Sequence, residues 1–312
     1  MINKKFLSLL TVTVMTCALV LAGCSGGGDK PTENNKTSET NKQTTTKSEN
    51  QDATEPGEDE SETADQSDDT DSLYSKFDKD DKWDETDTFI ELSKGDVIIN
   101  EPGTYVLSGT LADGQVNINV DATEKVQLVL NGVDITCKDS APIYVVNADK
   151  VVITLAEGTT NVLTDGGNAD TSDASGCINS KDDLTINGTG KLIVKGKVKN
   201  GIHCNNDLRI MSGTIEISAV DNGIKAKDSL AIKSGTIKID ANDAIKVTDK
   251  DDETKGTFYM DGGDVTLTAI DDGLVATVSI KVTGGKLTIV ALDKATNCDG
   301  TEEIADGCLV KR

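Results

Sequence analysis

Aromatic side chains make up only 3% of this 312-residue chain, which has a single Trp and a single His. Basic residues are also few: 31 Lys and Arg stand against 54 Asp and Glu, a formal net charge of −23. A surface that acidic repels phosphate backbones, which excludes nucleic acid as a partner. The lone His203 belongs to no recognisable nucleophile motif, so serine-type hydrolysis has no support. Zinc has none either, because there is no Cys-x-x-Cys and the one His stands in no Cys/His pattern that suggests a zinc site. Neutral glycans are usually held on aromatic platforms, and with Trp83 the only Trp such platforms are scarce.

The one long apolar run is at the start. Lys4 and Lys5 precede an uncharged stretch, 6–21, that ends in Leu21-Ala22-Gly23-Cys24. That is a signal peptide over residues 1–23. Its last four residues match the bacterial lipobox, so cleavage before Cys24 and lipidation of the Cys24 thiol are expected. The chain would then sit on the extracellular face of the bacterial cell membrane, touching it only through the lipid. Residues 24–72 are Thr, Ser, Asn, Glu, Asp and Lys with almost no large apolar side chains. They cannot bury enough surface to offset chain entropy and read as a disordered tether. Its acidic half, 55–71, extends by self-repulsion.

What remains, 73–312, is long enough for one sizeable domain, expected to be a monomer. With Cys17 in the signal and Cys24 lipidated, Cys137, Cys177, Cys204, Cys298 and Cys308 are left. An odd set without metal spacing reads as buried free thiols rather than a disulfide framework.

No part of this domain has a sustained helical period, but it repeats. Gly201-Ile202, Gly223-Ile224, Ala244-Ile245 and Gly273-Leu274 align at steps of 22, 21 and 29 residues, the last lengthened by a polar insertion at 249–255. Within one unit, Ile224-Lys225-Ala226, Leu230-Ala231-Ile232 and Gly235-Thr236-Ile237-Lys238-Ile239 alternate apolar and polar residues with period two. Each is a short strand with one face inward. Three strands per turn, with Gly, Asn and Asp at the corners, describe an all-β solenoid, a parallel β-helix whose coils bury their apolar faces only by stacking. A leucine-rich repeat would need a Leu-x-x-Leu-x-Leu string, which is missing. Upstream, 97–99, 105–107, 116–120, 126–130, 143–146 and 151–155 read as strands of the first coils, and an Asp/Gly/Ser loop at 165–176 interrupts the stack. From Lys294 the repeat is lost. Asp306-Gly307-Cys308-Leu309 reads as the start of another coil, with truncation expected beyond it.

Stacking turns a sequence column into a ladder with a spacing of about 4.8 Å. Just before each coil start the columns hold Lys199/Asn200, Asp221/Asn222, Asn242/Asp243 and Asp271/Asp272. Carboxylates that close repel one another unless a cation joins them. Calcium takes six to eight oxygen ligands in forgiving geometry. Asp221, Asp243, Asp271 and Asp272 are therefore the candidate Ca2+ ligands, with Asn222 and Asn242 as helpers. A solvated turn would use the same residue types. One position past each start stand Asn179, His203, Lys225, Lys246 and Val275. His203, Lys225 and Lys246 are the candidate carbohydrate-binding residues, because cations beside calcium suit a chain of uronic acids. A row of ordinary surface lysines is the alternative. Asp78 to Asp84 looks like an EF-hand loop but lacks Gly at the sixth position and the closing spacing.

Taken together, Trp83-Asp84-Glu85, Gly103-Thr-Tyr-Val-Leu-Ser-Gly109, Ser180-Lys-Asp-Asp-Leu-Thr-Ile186, Val220-Asp-Asn-Gly-Ile-Lys225 and Ile270-Asp-Asp-Gly-Leu274 resemble the carbohydrate-binding β-helix lipoproteins of clostridia and their relatives. The resemblance covers about 83–292. It implies a right-handed parallel β-helix related in fold to pectate lyases, bound calcium, and affinity for plant cell-wall polysaccharide, acidic pectin-type chains included. A non-catalytic binding module on a lipid tether is the favoured expectation. A calcium-dependent polysaccharide lyase with Lys225 or Lys246 as base, and a structural surface adhesin, remain open.

Overall fold

In the computed structural model, residues 70–166 and 175–312 are described. The expected signal peptide, Cys24, the tether up to residue 69 and most of the Asp/Gly/Ser loop lie outside the described residues.

The strands come in threes. Asn200–Cys204, Asp207–Ile210 and Thr214–Ala219 make one coil, and Asn222–Ala226, Ser229–Ile232 and Thr236–Ala241 make the next. The first strand of every coil joins a 9-stranded sheet, so the described residues form nine coils. The second and third strands form two rows of a 17-stranded sheet. The rows are one sheet because Lys125–Cys137 runs through the corner between them unbroken. Each strand pairs in parallel with its equivalent in the neighbouring coils. This is the parallel β-helix expected from the repeat.

The register matches the sequence alignment residue for residue. Ile202, Ile224, Ile245 and Leu274 are paired in one line across four coils, all fully buried. Leu208, Leu230, Phe258 and Ile280 fill the second row of the interior, and Ile215, Ile237, Val265 and Leu287 the third. β-Branched residues fit a pleated, half-buried surface, and each such side chain contributes roughly 1.5–3 kcal/mol only once a neighbouring coil covers it.

The coil corner is tight. A methyl on Gly223 would lie 2.1 Å from Ile239 Cγ2 in the same coil. Ala244 stands at the equivalent place one coil on, where the residue paired with Ile239 is Leu267. Leucine carries no second branch on Cβ, which relieves that contact.

The far end differs from expectation. Thr296–Cys298 pairs with Leu274–Ala276, and Thr301–Ile304 with Ser279–Val282. Leu309–Lys311 pairs with Lys286–Ala291, so Asp306-Gly307-Cys308-Leu309 finishes the ninth coil instead of starting a tenth. The repeat continues past Lys294 with Thr296, Asn297 and Glu302 in place of Leu274, Val275 and Ile280, which hides it from a hydrophobic pattern.

Residues 73–87 form a strap over the outer face of the second-strand row. Tyr74 packs on Met211, Ala231 and Tyr259, and Arg209 Nε donates to the Leu73 carbonyl. Asp78, 1% exposed, accepts from Thr185 Oγ1 at 2.6 Å and Lys150 Nζ at 2.9 Å. Asn187 Nδ2 donates to the carbonyls of Asp78 and Asp80. The segment that mimics an EF-hand loop is thus a surface tie anchored by one buried carboxylate, Asp78. On the outer face of the 9-stranded sheet Asn179 is buried, whereas Lys225, Lys246 and Val275 are partly exposed. Cys137, Cys177, Cys204, Cys298 and Cys308 carry free thiols, all buried except Cys298.

Candidate functional site

The corner between the third strand of one coil and the first strand of the next carries two tracks of polar residues, not one ladder. The outer track is Lys199, Asp221, Asn242, Asp271 and Asp293, linked from coil to coil by backbone N–H donation at 2.8–3.2 Å. The inner track is Asn200, Asn222, Asp243 and Asp272, all buried. Here Asn222 Nδ2 donates to Asn200 Oδ1 at 2.7 Å, and the Asp272 amide donates to Asp243 Oδ1 at 3.2 Å. Burying carboxylates demands partners. Lys246 Nζ supplies one to Asp243 Oδ2 at 2.7 Å, while Asp272 accepts the Lys294 amide and Asn297 Nδ2.

The six candidate ligands are therefore divided. Asp221 and Asp271 share a track but are separated by Asn242, roughly 10 Å apart at the coil spacing, too far to share one ion. Asn222 lies inside the amide ladder, and Asp243 faces an ammonium. Asp271 and Asp272 do come together, and Asp293 joins them: one oxygen from each lies within 4.8 Å of the others. Calcium–oxygen bonds of about 2.3–2.6 Å fit between oxygens so spaced. Partial desolvation, followed by the charges of Asp243, Asp272 and Asp293, raises the Asp271 carboxyl above its ordinary range, with Lys246 acting against them. Crowded like charge of this kind is relieved by a bound cation. The sequence reading missed Asp293. Ala291-Leu292-Asp293 repeats Ala269-Ile270-Asp271, and that triplet was the available signal.

Beside the carboxylates runs an aliphatic ridge. Val220, Ile270 and Leu292 occupy equivalent corner positions and are 61%, 65% and 81% exposed.

On the outer face of the 9-stranded sheet, Asn179, His203, Lys225, Lys246 and Val275 are paired in one row, as expected, and Asn297 extends it. Their charges are not those of a free cationic row. Burial, then Lys225, Lys227 and Lys199, lower His203 to about 4, so its ring is neutral near pH 7. Its Nδ1 lies 2.7 Å from Ser175 Oγ and 3.0 Å from Asn179 Oδ1. Burial, then Lys246, lower Lys225 to about 8 even in so acidic a protein. Desolvation outweighs the distant carboxylates. Lys225 Nζ donates to the Thr248 carbonyl at 2.8 Å and also to its hydroxyl.

A sequence model of the family described as carbohydrate-binding domain-containing protein matches residues 93–308. A carbohydrate-binding domain-containing protein of Acetivibrio thermocellus is 40% identical over 228 residues, which is 71% of this chain and 80% of that one. Among solved structures, a polysaccharide lyase-like protein from C. thermocellum, determined as a gadolinium derivative, superposes with a TM-score of 0.69 at 36% identity, covering 72% of this chain and 98% of its own.

Proposed function

This chain belongs to the carbohydrate-binding domain-containing protein family, and from that premise we propose that it is a non-catalytic surface lipoprotein that holds acidic, pectin-type polysaccharide through calcium. The observation that carries this reading is the meeting of Asp271, Asp272 and Asp293 at an open corner, within 4.8 Å of one another. When bound there, calcium supplies a positive charge that a uronate carboxylate can share. Asp272 is held by Lys294 and Asn297, so it is a fixed ligand, whereas Asp271 and Asp293 are exposed and can move with the ion. Ile270 and Leu292 offer aliphatic surface to the C–H faces of the sugar rings along the same edge. The lipobox at Cys24 and the polar segment 25–72 support a tether that keeps the polymer near the cell.

A polysaccharide lyase is the second reading, and the lowered Lys225 is what favours it. A neutral Lys225 amine would take the proton from the carbon next to the uronate carboxylate, a double bond would form, and the glycosidic oxygen would leave and be protonated by water. Its two donations to Thr248 turn the amine away from that role.

Calorimetric titration of the protein with polygalacturonate, with and without calcium, distinguishes these readings when ultraviolet absorbance is followed for unsaturated chain ends. Calcium-dependent heat without absorbance supports the binding module. Absorbance lost in Lys225→Met makes the protein a lyase. Silence in both channels leaves only the structural adhesin.

A further inference from the structure

Three corners carry the chain from second to third strand row in neighbouring coils: Asn131-Gly132, within an unbroken strand, and the turns Glu157-Gly158 and Thr189-Gly190. The strap passes over them at Asp81, Lys82 and Trp83, and the two enclose a cleft of about 640 Å³. That size is typical of sites for small molecules. Trp83 forms one wall, 37% exposed, with its ring edge-on to Phe89 at 6.1 Å between centroids.

The backbone on either side of Trp83 is pinned. Asn187 Nδ2 donates to the Asp80 carbonyl at 2.7 Å, and the Lys82 amide to Asp80 Oδ1 at 3.1 Å. Downstream, the Asp84 amide donates to Asp87 Oδ2 at 2.7 Å and the Thr86 amide to Asp84 Oδ1 at 2.8 Å. A platform fixed in advance loses little freedom when something stacks on it.

The facing wall is polar. Asn131, Glu157 and Thr189 line it, and none of these side chains bonds to another described residue. An amide, a carboxylate and a hydroxyl are thus left with unused donors and acceptors within reach of an aromatic face. Two carboxylates, Asp81 and Glu157, stand against one ammonium, and that one, Lys82, is 89% exposed and paired to Asp81 at 3.0 Å. Such a cleft accepts hydroxyl hydrogens and repels a second carboxylate.

We propose that this cleft is a second glycan site, which takes a neutral pyranose unit stacked on Trp83 with its hydroxyls bonded by Asn131, Glu157 and Thr189. It lies under the strap, on a different face from the Asp271 corner, and does not depend on calcium or on the acidic polymer. The protein would then grip a mixed wall polysaccharide at a charged stretch and at an uncharged one.

Trp83 is the only Trp of the chain, so tryptophan fluorescence reports on this cleft alone. The full chain is titrated with neutral gluco-, manno-, galacto- and xylo-oligosaccharides, and separately with oligogalacturonate with and without calcium. A saturable change is expected with at least one neutral sugar and none with oligogalacturonate. Asn131→Ala and Glu157→Gln should each weaken the response by roughly tenfold without altering the melting temperature, since neither side chain bonds to the fold. The proposal is overturned if no neutral sugar moves the fluorescence, if both substitutions leave the affinity intact, or if oligogalacturonate gives the same response.

Discussion

Lys246 Nζ lies 2.7 Å from Asp243 Oδ2, three residues back on its own strand, and Asp243 is only 4% exposed. At this level the inner track changes from amide to carboxylate, and Lys246 is the compensating charge. Lys246→Met should leave the buried Asp243 carboxylate with only the Asp272 amide as partner and cost about 1–3 kcal/mol. Asp243→Asn in the same chain should return most of it by extending the Asn200–Asn222 ladder. Urea unfolding of the two variants tests this; a double variant no more stable than Lys246→Met would show the charge pair is not what stabilises the corner.

Cation binding should divide the acidic residues along the two tracks. Asp271→Asn and Asp293→Asn are each expected to lower calcium affinity by roughly tenfold or more, and Asp221→Asn to leave it unchanged. Calorimetry with calcium alone reads this directly. An equal loss in Asp221→Asn would restore the single-ladder arrangement.

His203 gives the stability an acid limb. Its folded value of about 4 lies below the 6.5 of a free imidazole. Between those values the unfolded chain holds a proton that the folded chain does not. Stability from this source is complete above about pH 6.5 and is lost as pH falls toward about 4, by at most roughly 3 kcal/mol before allowing for solvent at the ring. His203→Gln should flatten that limb in denaturation curves taken across the interval, and an unchanged slope would assign it to other groups.

Gly223→Ala should destabilise the stack by about 1–3 kcal/mol, because the methyl meets Ile239 Cγ2 at 2.1 Å. Adding Ile239→Leu, as the neighbouring coil has at Leu267, should recover only part. The same methyl would lie 2.6 Å from the Ala244 carbonyl oxygen. Thermal melting of the single and double variants decides between a side-chain and a backbone origin of the loss.

The middle coils were legible because one residue pattern recurs there at a constant phase. Gly201-Ile202 through Gly273-Leu274 predicted the register that pairs Ile202, Ile224, Ile245 and Leu274. The corner was legible in composition but not in geometry. Whether an acid points out, as Asp271 does, or in, as Asp243 does, is set by its place in the corner pair, whose first residue lies on the outer track and whose second lies on the buried inner one. The ninth coil was hidden by Lys294, which stands where Asp272 stands in the coil before. The strap was illegible for a different reason. A polar run such as Ser75 to Asp87 has no internal period, and its partners are remote, Asp78 meeting a residue 107 positions away in Thr185.

That strap also decides how the domain answers to force. It runs from Tyr74, seated against Tyr259, back along the stack to Thr88, which pairs at the opposite end with Tyr105. A pull transmitted through the chain before Leu73 acts on Tyr74 and Asp78 first and peels the strap one contact at a time, whereas the coils behind it are loaded only when it is spent. Fourteen released residues provide roughly 50 Å of extension, so a load on the chain before Leu73 would stretch this segment before any coil opened.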